Sequence, residues 1–341
     1  MSLFELTRKL IDIPSVSGEE FAVGEFLQSH LEGLGYTVTR QELTPQRFNL
    51  FAATNGAPRV VLSTHMDTVP PFMASSEDDE NIYGRGACDA KGIIAAQIEA
   101  ALRLRASGLS DVGLLFTVDE EQGSLGAQVA NRIMIDAKPD FLVNGEPTDN
   151  KLAKATKGSL RFKLSARGHA AHSAYPEQGD SAIEKLLDVL SDIRNLDWPT
   201  DNVLGETTCN IGVISGGLRS NVVAEQAAAD VQMRLVSDPA PVKERLQRVV
   251  AGRVAIEFLS AHEPVWLETI AGFEQCVVRF TTDIPYLSNW GAPLLLGPGS
   301  ILCAHTDHEM VSKRELEDAV ELYATLTRAL LDRQVREGAS V

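Results

Sequence analysis

Histidine and carboxylate side chains follow several short apolar runs of this sequence, each of them typical of a buried strand. They are His65-Met66-Asp67 after residues 59–64, Asp119-Glu120-Glu121 after residues 112–118, Asn144-Gly145-Glu146 after residues 141–143, and Asp89 in the loop that opens the helix after the first strand. In open parallel sheets, ligands bind outside the carboxyl ends of the strands, so we expect these side chains to converge. Crowded carboxylates repel one another unless a cation neutralises them. Imidazole and carboxylate ligands suit Zn²⁺ and related ions, and a two-metal site is an established hydrolytic arrangement.

Each of these groups also has a structural explanation when it is taken alone. The acids before Ser124 would offset the positive end of a helix dipole, Asp89 could cap a helix, and a single histidine at a strand end is commonly a satisfied polar residue. Their convergence favours the metal site. A further histidine ligand is expected from the segment Ala304-His305-Thr306-Asp307-His308-Glu309, which precedes the last helix.

Strands and helices alternate along the first part of the chain, which predicts a largely parallel sheet with helices on both faces. In that part, Ser17-Gly18-Glu19-Glu20 predicts a capping box at the start of an early helix. The pattern changes near Lys157, where apolar and polar residues begin to alternate as in a strand with one solvated face. The order strand-helix-strand-strand-helix-strand then predicts an inserted ferredoxin-like α+β domain. We therefore predict an α/β fold with a doubly wound, mainly parallel catalytic domain of residues 1–157 and 266–341, and an inserted domain of residues 158–265.

The composition argues against several classes of protein. Acidic residues number 47 and basic residues 31 in a chain of 341, a formal net charge of -16, so neither nucleic acid nor an anionic membrane is an expected partner. The cysteines Cys88, Cys209, Cys276 and Cys303 form no Cys-x-x-Cys pair. The sequence shows no secretion signal and no apolar stretch long enough to span a bilayer. We expect a cytoplasmic protein with reduced thiols.

Five segments resemble, in order, the motifs of the M20 metallopeptidase and deacylase family, which includes acetylornithine deacetylase, succinyl-diaminopimelate desuccinylase and aminoacylase. The segments are residues 63–70, 83–92, 117–121 and 145–148, and residues 297–300 with His305. The resemblance implies a zinc-hydrolase sheet that holds two Zn²⁺ ions per subunit, for which Co²⁺ can substitute.

The resemblance also implies a role for each residue of the predicted metal site. Asp89 would bridge the ions, His65 and Glu146 would bind one of them, and Glu121 and His305 would bind the other. Glu120 would be the general base. Asp67 would accept the second N–H of His65 and fix its tautomer. His305 is preferred to His308 because the family's ligand is followed four residues later by a glutamate, which matches Glu309.

For the inserted domain, the resemblance implies dimerisation and a role as a lid. His172 would reach the active site of the partner subunit in a homodimer and stabilise the oxyanion, whereas His169 is interpreted as a loop residue. Asn221, Arg234 and Gly299 would contact the substrate, with Arg234 forming a bidentate pair with its carboxylate. The alternative for Arg234 is an exposed strand arginine. Cys88 is disfavoured as a nucleophile because acidic neighbours raise the pKa of a thiol.

The predicted activity is hydrolysis of the amide bond of an N-acyl amino acid, first of all N2-acetyl-L-ornithine, as in arginine biosynthesis. The alternatives are a lysine or ornithine hydrolase that acts on an acidic carrier protein, a desuccinylase, and a metallopeptidase for small peptides. A non-catalytic binding protein with this fold would be expected to have lost some of the ligands, and the sequence retains them all.

Overall fold

A computed structural model of the chain describes residues 1–54, 56–133 and 138–333. The last residues of the predicted catalytic domain, 334–341, lie outside this range. In chain order, the α-helices are α1 (Leu3–Ile11), α2 (Phe21–Gly33), α3 (Lys91–Ala106), α4 (Leu125–Arg132), α5 (Ala182–Arg194), α6 (Pro239–Val250) and α7 (Lys313–Leu331). The strands are β1 (Thr37–Thr44), β2 (Arg47–Ala53), β3 (Val60–His65), β4 (Ser76–Glu77), β5 (Asn81–Tyr83), β6 (Val112–Thr117), β7 (Phe141–Asn144), β8 (Leu152–Thr156), β9 (Gly158–Arg167), β10 (Thr200–Asp201), β11 (Gly205–Glu206), β12 (Thr208–Gly216), β13 (Gln226–Leu235), β14 (Ala255–His262), β15 (Val265–Trp266), β16 (Gln275–Val278), β17 (Ala292–Leu295) and β18 (Met310–Ser312).

The chain divides into two compact units. The first unit comprises Met1–Lys154, Leu267–Cys276 and Thr282–Val341, and the second comprises Ala155–Trp266 and Val277–Thr281. The predicted inserted domain, residues 158–265, did not include the short return of the chain at Val277–Thr281. Within the described part of the chain, no helix is long and apolar enough to cross a membrane.

The main sheet of the first unit has the strand order β1-β2-β6-β3-β7-β17. Strands β6, β3, β7 and β17 run parallel to one another, whereas β1 and β2 form an antiparallel hairpin, and β2 pairs antiparallel with β6. Only Pro45 and Gln46 separate β1 from β2, and so short a connection can join only antiparallel strands. The sheet is therefore mixed, with a parallel centre.

Alternate residues of the central strands face two apolar layers. Val60 and Leu62 belong to the larger core, which also includes residues of α1, α2, α3 and α7. Val61 of the same strand lies in a smaller core with residues of α4 and with Trp290. Successive strand residues point to opposite faces of a sheet, so a strand buried on both sides must be apolar throughout. This explains the continuous apolar runs in the sequence.

The start of α2 differs from the capping box predicted at Ser17-Gly18-Glu19-Glu20. The helix begins at Phe21, and its N-cap residue is Glu20. The Ser17 hydroxyl instead donates a 2.7 Å hydrogen bond to the Asp67 carboxylate. The capping-box prediction was wrong at this position because a distant acceptor competes for the serine.

The second unit contains an antiparallel sheet with the order β12-β13-β9-β14. Helix α5 follows β9, and helix α6 connects β13 to β14. Both helices pack on one face of the sheet around Phe162, Leu186 and Leu246. This strand-helix-strand-strand-helix-strand connectivity is the ferredoxin-like order. A role of this unit in dimerisation remains a prediction.

Candidate metal centre

The ends of parallel strands bring the predicted ligands of the first unit together. Strand β3 ends at His65, and this residue pairs in register with Thr117 at the end of β6. On its other side, β3 pairs with β7, which ends at Asn144. The segments that follow these ends carry Asp67, Glu120, Glu121 and Glu146. The convergence expected at the carboxyl edge of the sheet is therefore present.

Asp89 lies between two histidines that are distant in sequence. Its Oδ1 is 2.9 Å from Nε2 of His65, and its Oδ2 is 3.4 Å from Nε2 of His305. Nε2 of His305 is also 3.0 Å from Oε2 of Glu121. Potential ligand atoms of His65, Asp89 and Glu121 all lie within 4.8 Å of one another. Each oxygen of Asp89 therefore faces a different histidine, as expected for a bridging ligand.

Glu120 and Glu146 add further acids to this group. Burial, and then repulsion by neighbouring carboxylates, raises the pKa of both well above the usual value. In Glu146, Oε1 is buried and has no hydrogen-bond partner among the described residues. Buried polar atoms normally have a partner. A cation next to these acids would favour their charged forms.

The histidines carry the compensating charge. Burial lowers the pKa of His65, but hydrogen bonds to Asp67 and Asp89 raise it well above the usual value. Hydrogen bonds to Asp89 and Glu121 raise the pKa of His305 to about 10. For Asp89, burial raises the pKa, and the bonds from both histidines more than reverse this effect. Protons on these imidazoles would compete with a metal for the same lone pairs.

This donor set fits divalent metal ions. Imidazole nitrogen with carboxylate oxygen is the combination that Zn²⁺ and related ions accept. Two features of the structure fit such ions. Oε1 of Glu146 has no hydrogen-bond partner among the described residues, and each oxygen of Asp89 faces a different histidine.

Asp67 holds the loop that carries Glu120 and Glu121, which consists of residues 118–123 and is called the acidic loop below. Asp67 Oδ1 accepts the backbone N–H of Glu120 at 3.1 Å, and Oδ2 accepts that of Glu121 at 3.2 Å. The nearest acceptor for Nδ1–H of His65 is the Asp67 backbone carbonyl at 2.9 Å, while the carboxylate lies 3.6 Å away. Asp67 does fix the tautomer of His65, but mainly through its carbonyl, because its carboxylate is turned toward the acidic loop.

Asp119 fixes the backbone of the same loop. It adopts a left-handed conformation with φ of 69°, and its carbonyl accepts the N–H of Ser124 at 2.7 Å. Its carboxylate forms a 2.6 Å ion pair with Arg47, which also pairs with the buried Glu20. The acids before Ser124 therefore have different roles: Asp119 shapes the loop, and Glu120 and Glu121 face the metal centre.

Two buried acids at the centre were missed in the sequence. Glu309 pairs with Arg85 and accepts the backbone N–H of Gly86 at 2.8 Å and that of Asp89 at 3.3 Å. Its position four residues after His305 was the available signal. Asp283 accepts a 2.7 Å hydrogen bond from the Thr117 hydroxyl. No local pattern marks Asp283, which is far from the other site residues in the sequence.

The surroundings of His308, Asp89 and Cys88 bear on the alternatives that the sequence left open for them. His308 is 89% exposed and lies 3.3 Å from Asp307, so His305 is the histidine of this segment that contacts the acids. The N-cap residue of α3 is Ala90, not Asp89. Burial and nearby acids raise the pKa of Cys88 well above the usual value, which disfavours a thiolate nucleophile.

Gly299 is buried beside this centre, and steric constraints require a glycine at its position. Its φ is 83°, and a Cβ atom there would lie 2.5 Å from Cβ of Cys88. Only glycine accepts both conditions without displacement of the neighbouring chain. Substrate binding by Gly299 remains a prediction.

The second unit brings the segments of His172 and Asn221 together. His172 forms an isolated bridge with Val222, and the N–H of Ser173 donates to the carbonyl of Asn221 at 3.1 Å. Both His172 and Asn221 are exposed. Nδ1 of His172 accepts the N–H of Ala174 at 3.1 Å. In the neutral ring, Nε2 would then carry the proton and be the donor atom.

Arg234 is half-buried on strand β13 of the second unit. It pairs in register with Ser159 of β9 and Thr208 of β12, and its Nη1 lies 3.4 Å from the Thr281 hydroxyl. It is therefore not the fully exposed strand arginine of the alternative interpretation. A contact with a substrate carboxylate remains a prediction.

Residues 61–329 of the chain match the family described as "Peptidase family M20/M25/M40". A peptidase M20 domain-containing protein of Schizosaccharomyces pombe is 37% identical, with 94% of this chain and 83% of that protein covered. A "Probable carboxypeptidase" of Aspergillus niger is also 37% identical, with 96% and 90% covered.

Solved structures are similar over nearly the whole chain. A tripeptidase from Staphylococcus aureus has a TM-score of 0.78 at 21% identity, with 96% of each chain covered. A Bacillus subtilis protein described as a dinuclear metal binding peptidase from M20 family has a TM-score of 0.71 at 16% identity, with 97% of this chain and 98% of that chain covered. At these identities the likeness shows the mixed α/β fold.

Proposed function

Because this chain belongs to the peptidase family M20/M25/M40, we propose that it is a metal-dependent hydrolase that cleaves the amide bond of a small peptide or N-acyl amino acid. The observation that supports this most directly is Asp89, whose oxygens face His65 and His305 next to the buried Glu146 and the half-buried Glu120.

We assign His65, Asp89 and Glu146 to one ion, and Asp89, Glu121 and His305 to the other. Zn²⁺ is the expected metal, and Co²⁺ is the expected substitute. When bound, such ions polarise a carbonyl oxygen and lower the pKa of water. The pair of ions would also neutralise the negative charge of the acids.

Glu120 is the proposed general base. Its backbone is fixed by Asp67, and its side chain is half-buried next to Glu146, which raises its pKa well above the usual value. A carboxylate with a raised pKa is suited to take a proton from the attacking water and to return it to the leaving amine. The family resemblance supports the role of Glu120 as a base and not as a further metal ligand.

His172 is the proposed donor to the oxyanion, acting in the site of a second copy of the chain. Its Nδ1 is occupied by the N–H of Ala174, so Nε2–H is the atom available to donate. A donor placed where charge develops in the transition state typically contributes about 10²–10³ in rate. This assignment requires a homodimer, which the exposed position of His172 permits.

For the substrate, the names of relatives favour a small peptide with a free carboxyl terminus. One relative is named as a probable carboxypeptidase, and one structural neighbour is a tripeptidase. Arg234 is the proposed partner of the terminal carboxylate, and Asn221 is proposed to contact the substrate backbone. N2-acetyl-L-ornithine is the second candidate because residues 296–300 and His305 resemble the deacetylase pattern.

The test is a panel of substrates assayed with metal-loaded protein. The panel contains dipeptides, tripeptides, N-acetyl amino acids including N2-acetyl-L-ornithine, and N-succinyl-diaminopimelate. We expect hydrolysis of peptides to exceed that of the others, and a preference for N2-acetyl-L-ornithine would transfer the proposal to the second candidate. Metal binding without turnover of any member would contradict the proposal and favour a binding protein.

A further inference from the structure

Asp283 is a buried acid of the first unit whose side chain turns away from its own backbone. It is 1% exposed and precedes the short 3-10 turn Ile284–Tyr286. The N–H of Ile284 is capped by the Thr282 hydroxyl at 3.2 Å. The carboxylate of Asp283 is therefore not used for the turn it precedes, and its contacts are elsewhere.

Those contacts are the residues on either side of the acidic loop. Oδ2 of Asp283 accepts the hydroxyl of Thr117, the last residue of β6, at 2.7 Å. The Ser124 side chain, at the N-cap position of α4, also lies near this carboxylate and favours its charged form. Thr117 and Ser124 are the first residues outside the loop on each side. One carboxylate thus bonds the end of the strand and lies near the start of the helix, across the segment that carries Glu120 and Glu121.

The loop needs such a connection because its backbone is unusual. Asp119 and Ser124 both have left-handed conformations, with φ of 69° and 52°. Residues other than glycine keep such conformations only where the surroundings impose them. Asp67 holds the amides of Glu120 and Glu121, and Arg47 holds Asp119. Asp283 supplies the remaining restraint, at the two ends.

Packing alone does not explain an acid at this position. Oδ1 of Asp283 is buried and has no hydrogen-bond partner within the described residues. Burial raises the pKa of Asp283 to about 6. Both facts mean that the charged carboxyl group is costly to keep buried. The two hydroxyl contacts are the visible compensation.

We propose that Asp283 is a positioning residue that clamps the two ends of the acidic loop and so sets the positions of Glu120 and Glu121. The relevance of this clamp to hydrolysis rests on the proposed function. The clamp itself is a property of the metal-free protein and can be tested without turnover.

The test is hydrogen exchange of the backbone amides in residues 118–125 of metal-free protein, followed by mass spectrometry. For Asp283→Ala we expect exchange of the Glu120 and Glu121 amides to be about tenfold faster. Local opening of the loop in this variant no longer has to break the contacts of the Asp283 carboxylate, so it costs less free energy. Thr117→Val removes only the hydroxyl donor and should give a smaller increase at the same amides. Asp283→Asn keeps an acceptor oxygen and should remain close to the original protein.

Thr7→Val is the matched control. Thr7 is a buried threonine whose hydroxyl donates to the Leu3 carbonyl at 2.9 Å within α1. This variant removes a comparable buried bond and should leave residues 118–125 unchanged. An increase of the same size in all peptides of Asp283→Ala, or unchanged exchange in residues 118–125, would overturn the proposal. If Asp283→Ala does not fold, Thr117→Val decides the question by the same measurement.

A second readout links the clamp to the metal centre. Zn²⁺ titration by calorimetry should show weaker binding to Asp283→Ala, because the loop no longer holds Glu121 in position. The affinity for Zn²⁺ should return to nearly the original value in Asp283→Asn. If exchange in residues 118–125 rises but the substrate panel gives no turnover even in the original protein, the clamp stands and the proposed function fails. If turnover is normal and exchange is unchanged, the clamp alone is wrong.

Discussion

The metal centre of the first unit and the predicted substrate residues of the second unit are held in different ways. At the metal centre, Asp89 and Glu146 are buried, and Asp89 contacts two histidines directly. In the second unit, His172 and Asn221 are exposed, and backbone bonds between their segments keep them together. The first arrangement consists of buried groups that contact one another directly. The second consists of exposed side chains on segments that are joined through the backbone.

The difference teaches which kind of residue tolerates change. A buried acid depends on partners that offset its charge, so the loss of one partner alters the whole group. An exposed donor such as Nε2–H of His172 depends on few neighbours, so its loss should leave the fold intact. Loss of a proposed ligand in the first unit should therefore affect metal binding and stability, whereas substitutions in the second unit should affect kcat or KM and leave metal content and stability unchanged.

The largest effect should come from removal of the metal. Chelation should abolish hydrolysis and lower the midpoint of thermal unfolding, because ions that bind only the folded state stabilise it by about 4 kcal/mol at a thousandfold excess over Kd. Activity and the unfolding midpoint should return when Zn²⁺ or Co²⁺ is added back. Asp89→Asn should resemble the chelated protein. Full activity after chelation would remove the basis for treating this region as a metal centre.

Glu120→Ala is expected to be the next largest change. Loss of the general base should lower kcat by about 10²–10⁴, while the bound metal remains near the original content because Glu120 is not a proposed ligand. Metal analysis of the purified variant, together with steady-state kinetics, makes the measurement. Glu121→Ala is the matched control in the neighbouring position and should lose metal. Equal metal loss in both variants would contradict the separate roles.

The sequence predicted that these side chains would meet because parallel strand ends are neighbours by topology. His65, Glu121 and Glu146 each follow an apolar run, so their convergence followed from the expected sheet. The bridging position of Asp89 and the choice of His305 came from the family resemblance. The actual contacts agree with these residues, whereas the contact between Asp67 and His65 differs in the atom that accepts the proton.

What the sequence did not reveal is how the loops are held. Ser17 was interpreted as a helix cap and instead binds the Asp67 carboxylate, 50 residues away. Asp283 contacts Thr117 across 166 residues. Such contacts depend on tertiary packing and have no local periodicity or spacing that could indicate them. The antiparallel hairpin of β1 and β2 could have been recognised from its two-residue connection.

His172→Ala tests the second unit and should lower kcat by about 10²–10³, with unchanged metal content and unfolding midpoint. Subunit mixing sharpens this test. If His172 acts in the partner subunit, a mixed dimer of Glu120→Ala and His172→Ala has one intact site, so random exchange should restore about a quarter of the original activity. An inactive mixture, with subunit exchange shown by differential tagging, would place His172 in its own chain's site.

Arg234→Lys should have a smaller effect, confined to substrate affinity. Lysine keeps the charge but loses the planar fork that binds a carboxylate through two bonds, so KM should rise by about tenfold with little change in kcat. A substrate whose terminal carboxylate is replaced by an amide provides the control, since its KM should be similar with either residue. A uniform fall of kcat for both substrates would indicate that Arg234 supports the sheet of the second unit instead.

The smallest expected effect is that of Ser17→Ala. This change removes the 2.7 Å hydrogen bond to Asp67, one step away from Glu120 and Glu121, and the bonds from their amides to Asp67 remain. A single hydrogen bond to a charged group contributes about 1.5–3 kcal/mol at most, so kcat should fall only severalfold while KM is retained. Ser107→Ala is the matched control because its hydroxyl donates to the Leu104 carbonyl at the end of α3. An effect of Ser17→Ala as small as that of Ser107→Ala would show that Asp67 is held by the loop amides alone. The first unit would then tolerate substitutions closer to its metal centre than the burial of that centre predicts.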